Sequence, residues 1–366
     1  MAAAPLELAI VLPTLNERGN LAPLIERIET ALGSGGWEVL VVDDNSADGT
    51  ADEARSLALT DSRIRVIHRI GRRGLASAAI EGLCATAAPY AAVMDADHQH
   101  DPALLPAMLG CLQEGEAEIA IASRFAEGAT TEDWADPERE RLSEFANALA
   151  RRLTGAALSD PMSGYFMLPT ASARALAPRL SGIGFKILLD ILASADKPMK
   201  VKEFPLKFAA RREGESKLDR AIAFDFLAVI YDKTLGRIIP TRFALFGTVG
   251  AAGVIAHMAV LAMLLLLFGA GFALAQAVAV LCAMSFNFML NNALTYRDQR
   301  LEGAGEIVRG WIGFCLTCAV GGFANLAVAT LLQSYGLLLV LAALAGILAG
   351  SVWNYALSSR FVWGRY

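Results

Sequence analysis

The sequence predicts a chain in two parts, a parallel α/β sheet domain followed by an all-α domain of four transmembrane helices. Three observations predict it. In the first half, short β-branched apolar runs alternate with segments of helical apolar spacing, the pattern of a parallel sheet covered by helices. In the second half, residues 243–296 and 310–359 contain no Lys, Arg, Asp or Glu. Each tract runs to about 50 residues, room for two crossings of ~20 residues apiece. The chain of 366 residues is 55% hydrophobic and 19% charged, and these two tracts carry the apolar excess.

Residues 8–12 and 39–42 read as strands buried on both faces. Between them Leu21, Leu24, Ile25 and Ile28 mark one face of a helix over 20–32. Further strands are expected at 64–67, 91–94 and 119–122, with helices at 75–86, 102–112 and 137–153. Residues 217–239 form an amphipathic linker. Its apolar side chains Ile222, Phe226, Val229 and Ile230 suit either the membrane interface or an ordinary domain core. The expected domains are therefore 1–218, a linker at 219–240, and a membrane part at 241–366.

The membrane half holds a faint repeat. Phe286-Asn287-Phe288 is echoed by Trp353-Asn354-Tyr355, and Gly247, Gly250 and Gly253 by Gly313, Gly321 and Gly322. Small residues let helix backbones approach in lipid, so two related hairpins are expected. Arg237, Arg242, Arg297, Arg300, Arg309, Arg360 and Arg365 all fall on one side of four crossings, while the opposite turns near 269–271 and 333–336 are uncharged. The positive-inside rule then puts the first domain, the middle loop and the C-terminus on the cytoplasmic side of the cytoplasmic membrane. Residues 1–5 lack the basic start of a signal peptide and the apolar run at 8–12 is too short for one, in keeping with that side.

The formal net charge of −5, with its acidic surplus in the first 234 residues, excludes a nucleic-acid footprint. Five cysteines show no disulfide framework. Cys315 and Cys318 have a metal-like spacing but lie in an apolar tract without a second pair, so they read as packing residues.

The most informative polar segment is Asp95-Ala96-Asp97-His98-Gln99, directly after an expected strand. Alternate residues at a strand end can point one way, so Asp95, Asp97 and Gln99 can offer oxygens to one point. Mg²⁺ and Mn²⁺ favour such oxygens and complete their shell with substrate phosphates. Two further loops, 13–17 and 43–50, follow the first two strands, where open α/β sheets bind ligands. Taken alone, the second is equally a turn before a capped helix.

Pro13-Thr14-Leu15-Asn16-Glu17, Val41-Val42-Asp43-Asp44-Asn45-Ser46, Asp95-Ala96-Asp97 and Asp160-Pro161-Met162-Ser163-Gly164 together resemble an inverting family-two glycosyltransferase with the GT-A fold, closest to the polyprenyl-phosphate (dolichol-phosphate) mannose synthases. Gly184-Phe185-Lys186-Ile187-Leu188-Leu189 and Gly214-Glu215-Ser216-Lys217-Leu218 add to the likeness. The membrane half is similar to the four-helix GtrA-type domain. The resemblance implies that Pro13, Leu15, Glu17, Val42 and Asp44 hold the nucleoside and that Asp95, Asp97 and Gln99 bind Mg²⁺ or Mn²⁺. It implies that Ala96 lines the diphosphate, and that Arg124, Arg211 and Lys217 contact donor or acceptor phosphates. It also implies that Arg139 takes the acceptor phosphate, with Arg141 a competitor. Glu144 and His98 depart from the family pattern, the former where relatives often carry a base.

The implied donor is GDP-mannose, the acceptor a polyprenyl phosphate in the bilayer, and the alternative a glucose synthase using UDP-glucose. A processive polysaccharide synthase is disfavoured, because no Gln-x-x-Arg-Trp occurs. A phosphate monoester with a second pKa of about 6 is mostly dianionic at neutral pH and needs no strong protein base. Such a site must instead supply cations, and arginine forks suit that task. The oligomeric state stays open.

Overall fold

The computed structural model describes residues 5–71, 74–127, 150–152, 154–155, 158–182, 184, 186–206, 228–236 and 238–364. The chain forms two compact units, Met1–Leu235 and Gly236–Tyr366.

The first unit holds one sheet of seven strands among the described residues: β1 (Leu8–Thr14), β2 (Trp37–Asp43), β3 (Ile64–His68), β4 (Tyr90–Val93), β5 (Ile119–Ser123), β6 (Phe166–Pro169) and β7 (Val201–Pro205). Their order is β3-β2-β1-β4-β6-β5-β7. The five expected strands are all present. The expected parallel pairing holds for β1 to β4 and for β5 with β7, while β6 runs antiparallel to both β4 and β5 and makes the sheet mixed. Chain leaves β5 and enters β6 at the same end of the sheet, where the Ala122 N–H meets the Tyr165 carbonyl at 3.0 Å. β6 and β7 were not expected. β7 is an edge strand in which Lys202 and Glu203 interrupt the apolar signal and Pro205 ends the ladder.

Among the described residues the sheet is flanked by α1 (Arg18–Leu32), α2 (Thr50–Thr60), α3 (Leu75–Ala85), α4 (Leu105–Gln113), α5 (Thr170–Leu176) and α6 (Ile187–Ser194). A single 3-10 turn, Pro102–Leu104, leads into α4. Side chains alternate across each strand, so β1 feeds two cores. Leu8, Ile10 and Leu12 pack with α1 and α4 on one face, while Ala9 and Val11 join Leu40, Val42 and the alanines of α3 on the other. Gly82 lets α3 lie directly on the sheet, since a Cβ there would overlap Val11 and sit 3.1 Å from Val42 Cγ2. The helix expected at 137–153 lies outside the described residues except for its last turn.

The four expected membrane spans are all present. α7 (Thr241–Leu266), α8 (Phe272–Leu290, prolonged by one π turn to Thr295), α9 (Ala304–Ser334) and α10 (Leu339–Phe361) are each long and apolar enough to cross a bilayer. α9 begins before the charge-free tract and carries Glu306 and Arg309. At 1.5 Å per residue its 31 residues exceed the ~30 Å hydrocarbon layer, so its charged start extends beyond it.

The suspected repeat is structural. Gly253 of α7 lies against the Asn287 carboxamide of α8, and Gly321 of α9 lies against Asn354 of α10 in the same way. In both places a Cβ would overlap the amide. Gly247 and Gly250, by contrast, face open space. At one end, Asn292 ties the domain together: its Oδ1 accepts from Leu301 N at 2.9 Å and Trp363 Nε1 at 3.0 Å, and its Nδ2 donates to the Leu301 carbonyl. Trp363 stacks flat on Tyr296 at 4.2 Å, with Phe288 and Phe314 around it.

Residues 228–234 are helical and belong to the first unit. Val229 is fully buried with Ala150, Met162 and Leu189, and Lys233 Nζ lies 2.6 Å from the buried Asp190 carboxylate. At Val229 the core alternative applies, while Ile222 and Phe226 lie outside the described residues. The first unit thus runs on to Leu235, beyond the expected boundary at 218.

Candidate active site

The sheet opens at the carboxyl end of β1. Pairing of β1 with β4 stops at Val11 opposite Val93, but pairing with β2 continues to Thr14 opposite Asp43. β1 therefore outruns β4, and the strand order reverses between these two strands, which is where open sheets form a ligand crevice. Met94 N still reaches the Val11 carbonyl at 3.2 Å. Pro13, two residues on, points its missing N–H toward the same side and breaks no ladder bond.

Two loops line one side of this crevice, beyond β1 and β2, and are bonded to each other. Asn16 (φ 61°) receives nothing from its own turn; its N–H donates to Ser46 Oγ and its Oδ1 accepts from Ala47 N. Glu17 N donates to Thr50 Oγ1 at 2.9 Å, and Arg18 N to Asp48 Oδ2 at 3.1 Å. Asp43 is fully buried and accepts from Thr14 Oγ1, Ser46 N and Ser46 Oγ. These bonds preset both loops. Leu15 is half exposed at the rim. Val42 and Ala96 are buried in the two cores, so their own side chains face away and only their backbone can meet a ligand.

Asp44 is the polar centre of that side. Its Oδ1 accepts from Arg69 Nη1 at 2.5 Å and its Oδ2 from Gly74 N at 2.6 Å. Burial pushes its carboxyl above the usual range, against the opposing pull of the Gly74 N–H and the Arg69 charge. Sequence reasoning missed Arg69, because beside Arg65 and His68 of β3 it reads as one more surface charge.

Across the crevice, residues 94–101 form a loop, since β4 ends at Val93. Strand alternation therefore does not set Asp95, Asp97 and Gln99; a positive φ of 66° at His98 turns the chain instead. Gln99 N donates to Asp97 Oδ1 at 3.1 Å. His98 departs from the site and meets Arg27 of α1 at 3.3 Å. His100 points inward. Its Nδ1 accepts from Asp95 N at 2.9 Å, its ring stacks on Tyr165 at 5.2 Å, and its Nε2 lies 3.8 Å from Asp95 Oδ2. Asp95 remains about a third exposed. A Cβ on Gly164 would come within 3.1 Å of Asp95 Oδ2, so the glycine keeps the space beside that carboxylate clear.

The donors here are oxygens only, which suits Mg²⁺ or Mn²⁺ with a shell completed by phosphate and water. Among the described residues no three His, Cys, Asp or Glu side chains cluster to hold a metal by themselves. Two carboxylates and an amide fit a cation shared with a substrate.

Arg124 follows β5 and forms a fork with Asp160: Nε to Oδ2 at 2.8 Å and Nη2 to Oδ1 at 2.9 Å, with its own N–H adding a third bond. Burial works against both charges, yet the paired fork holds the Asp160 carboxyl below its usual range and the Arg124 guanidinium above. Glu203 of β7 fixes the segment from behind, accepting from Ser159 N, Ser159 Oγ and Asp160 N. Arg139, Arg211 and Lys217 lie outside the described residues.

The chain matches the family model "Glycosyl transferase family 2" over residues 9–175 and "GtrA/DPMS, transmembrane domain" over residues 245–363. A dolichol-phosphate mannosyltransferase of Pyrococcus furiosus is 32% identical over 363 residues, covering 98% of this chain and 99% of the relative. Proteins of the same name from Mycosarcoma maydis and Saccharomyces cerevisiae are each 34% identical, over 70% and 61% of this chain and 85% of each relative. The crevice, the four long helices and this end-to-end agreement have one meaning: the chain belongs to the dolichol- and polyprenyl-phosphate mannosyltransferase family, a family 2 glycosyltransferase joined to a GtrA/DPMS transmembrane domain.

Proposed function

We propose that the enzyme transfers mannose from GDP-mannose to a polyprenyl phosphate and inverts the anomeric centre. One observation carries this reading: a single chain joins an oxygen-lined crevice to four bilayer-length helices, in the order and over the length of a relative named for mannose transfer to dolichol phosphate.

In this reading Asp44, with Pro13, Leu15, Glu17 and Val42, holds the nucleoside beyond β1 and β2. Asp95, Asp97 and Gln99 hold Mg²⁺ or Mn²⁺ at the diphosphate, with Ala96 beneath. When bound, the cation supplies Lewis-acid neutralisation of the departing diphosphate. Arg124, Arg211 and Lys217 steer phosphates, and Arg139 receives the acceptor phosphate. The acceptor phosphate oxygen bonds to the anomeric carbon as the bond from that carbon to the diphosphate breaks. No proton has to be removed from a dianionic nucleophile. His100 accordingly serves the loop rather than the reaction, since its Nδ1 is taken by the Asp95 N–H.

The cations Arg242, Arg297, Arg300, Arg309 and Arg360 support a cytoplasmic catalytic domain in the cytoplasmic membrane. Protease shaving of right-side-out vesicles leaves the catalytic domain intact on this reading, and its digestion reverses the orientation.

Membranes containing the enzyme are incubated with labelled GDP-mannose or UDP-glucose and a polyprenyl phosphate. Lipid label from GDP-mannose, abolished by a chelator and by Asp97→Ala, is the expected result. Label from UDP-glucose alone would reverse the donor assignment. Unchanged activity in the chelated mutant would remove the cation site.

A further inference from the structure

Arg69, directly after β3, is almost completely buried, although no expected site residue is an arginine from this part of the chain. Its backbone N–H donates to the Asp43 carbonyl at 2.8 Å, extending the sheet by one bond. Its guanidinium spends its donors on four groups. Nη1 reaches Asp44 Oδ1 at 2.5 Å and the Gly74 carbonyl at 3.3 Å, Nη2 reaches Ser77 Oγ at 2.7 Å, and Nε reaches Glu81 Oε2 at 3.1 Å. Ser77 Oγ in turn donates to the Gly74 carbonyl, and the Gly74 N–H returns to the second oxygen of Asp44. The result is a closed ring that ties the end of β2 to the first turns of α3.

Each oxygen of Asp44 is thereby oriented by one partner and keeps lone-pair capacity for another. A nucleoside presents donors to such a carboxylate, from ribose hydroxyls or from a base N–H. For that the carboxylate has to stay ionised and acceptor-only while largely removed from water. A neighbouring fixed cation works toward this against the cost of burial, and arginine does so while its planar fork also sets the angle. A lysine ammonium would keep the charge but could not reach Asp44, Ser77 and Glu81 together.

We infer that Arg69 is a positioning residue of the nucleotide site, acting through Asp44 to hold its carboxylate as a fixed acceptor for the nucleoside. The inference rests on the reading of Asp44 as a nucleoside contact. Arg69 touches no reacting atom, so its loss is felt in donor binding and not in the transfer step.

The test uses the full chain in detergent with three variants, Arg69→Lys, Asp44→Asn and the double mutant. GDP affinity is measured by calorimetry without acceptor, and KM and kcat by transfer from the nucleotide sugar. Arg69→Lys is expected to raise both the GDP Kd and the donor KM by about tenfold, the scale of leaving a buried acceptor imperfectly paired, with kcat at saturation little changed. Asp44→Asn is expected to do the same. The double mutant should be no worse than the weaker single, because both remove one interaction.

A normal Kd in Arg69→Lys beside a weakened Asp44→Asn overturns the inference and leaves the nucleoside reading standing. A normal Kd in Asp44→Asn overturns the nucleoside reading itself. Should Arg69→Lys not fold, Ser77→Ala/Glu81→Gln releases two outer anchors while the charge remains. A several-fold weaker GDP affinity supports the inference there, and an unchanged one overturns it.

Discussion

In the sheet domain apolar side chains fill both faces of the central strands, and buried acids such as Asp43, Asp44 and Asp160 are bonded in rings and forks. In the membrane domain no more than 17% of the most apolar stretch of any helix is buried inside the protein. Burial against water cannot hold those helices, because lipid is as apolar as leucine. They are joined instead by close glycine–asparagine contacts (Gly253 with Asn287, Gly321 with Asn354 and Gly346 with Asn325) and by an aromatic knot around Asn292 and Trp363. The sheet domain distributes its stability, and the membrane domain concentrates it.

The comparison breaks most visibly at a buried ion pair. Asp160→Ala leaves Arg124 without its fork and should cost about 3–5 kcal/mol, read by thermal unfolding of the detergent-solubilised chain. The same pair gives a pH signature. Asp160 titrates below its unfolded value, so its contribution is complete above pH ~4 and is lost as pH falls through the folded value. The stability gap between wild type and Asp160→Asn should therefore shrink on acidification. A gap that widens would sink the assignment.

Next in size are matched glycine substitutions. Gly82→Val drives a side chain into Val11 and Val42, and Gly321→Val drives one into Asn354. Each should cost about 1–3 kcal/mol of overpacking. The difference is in the readout: only the sheet variant should weaken nucleotide affinity. Equal weakening by both would contradict the division of labour drawn above.

Asn292→Leu is expected to cost about 1–3 kcal/mol, because Leu301 N–H and the Trp363 indole lose their buried acceptor. Quenching of Trp363 fluorescence by a water-soluble quencher should rise with it. The smallest stability effect belongs to Gly164→Ala, whose methyl would press on Asp95 Oδ2 at 3.1 Å and on His100 at 3.3 Å. Transfer should slow about tenfold as the carboxylate is displaced, with unfolding nearly unchanged. A variant of wild-type rate would show that Asp95 needs no such clearance.

How far each region was legible follows from the same contrast. The strands from Leu8 to Ser123 announced themselves through β-branched runs, and the four spans through the loss of charge. The loops that carry Asp44, Asp95 and Asp97 were marked by polar residues at strand ends. What escaped is tertiary. β6 and β7 look like ordinary connecting chain until they are paired, and β7 shows charge where edge strands need it. Arg69, His100 and Glu203 act on partners 25, 5 and 43 or 44 residues away, and only the register of β2 against β3 brings Arg69 to Asp44. Asp95, Asp97 and Gln99 were rightly grouped as oxygen donors, but for a turn at His98 and not for the alternation of a strand.

Val229 sits under Met162, and Lys233 closes on Asp190. Those two residues decide where a soluble catalytic fragment can be cut. A version ending at the last recognisable motif, near 218, would strip the hydrophobic plug from behind Met162 and leave the buried Asp190 without its lysine. It should precipitate or lose its fold. Fragments carried past Leu235 keep both and give the shortest piece worth crystallising with a water-soluble acceptor.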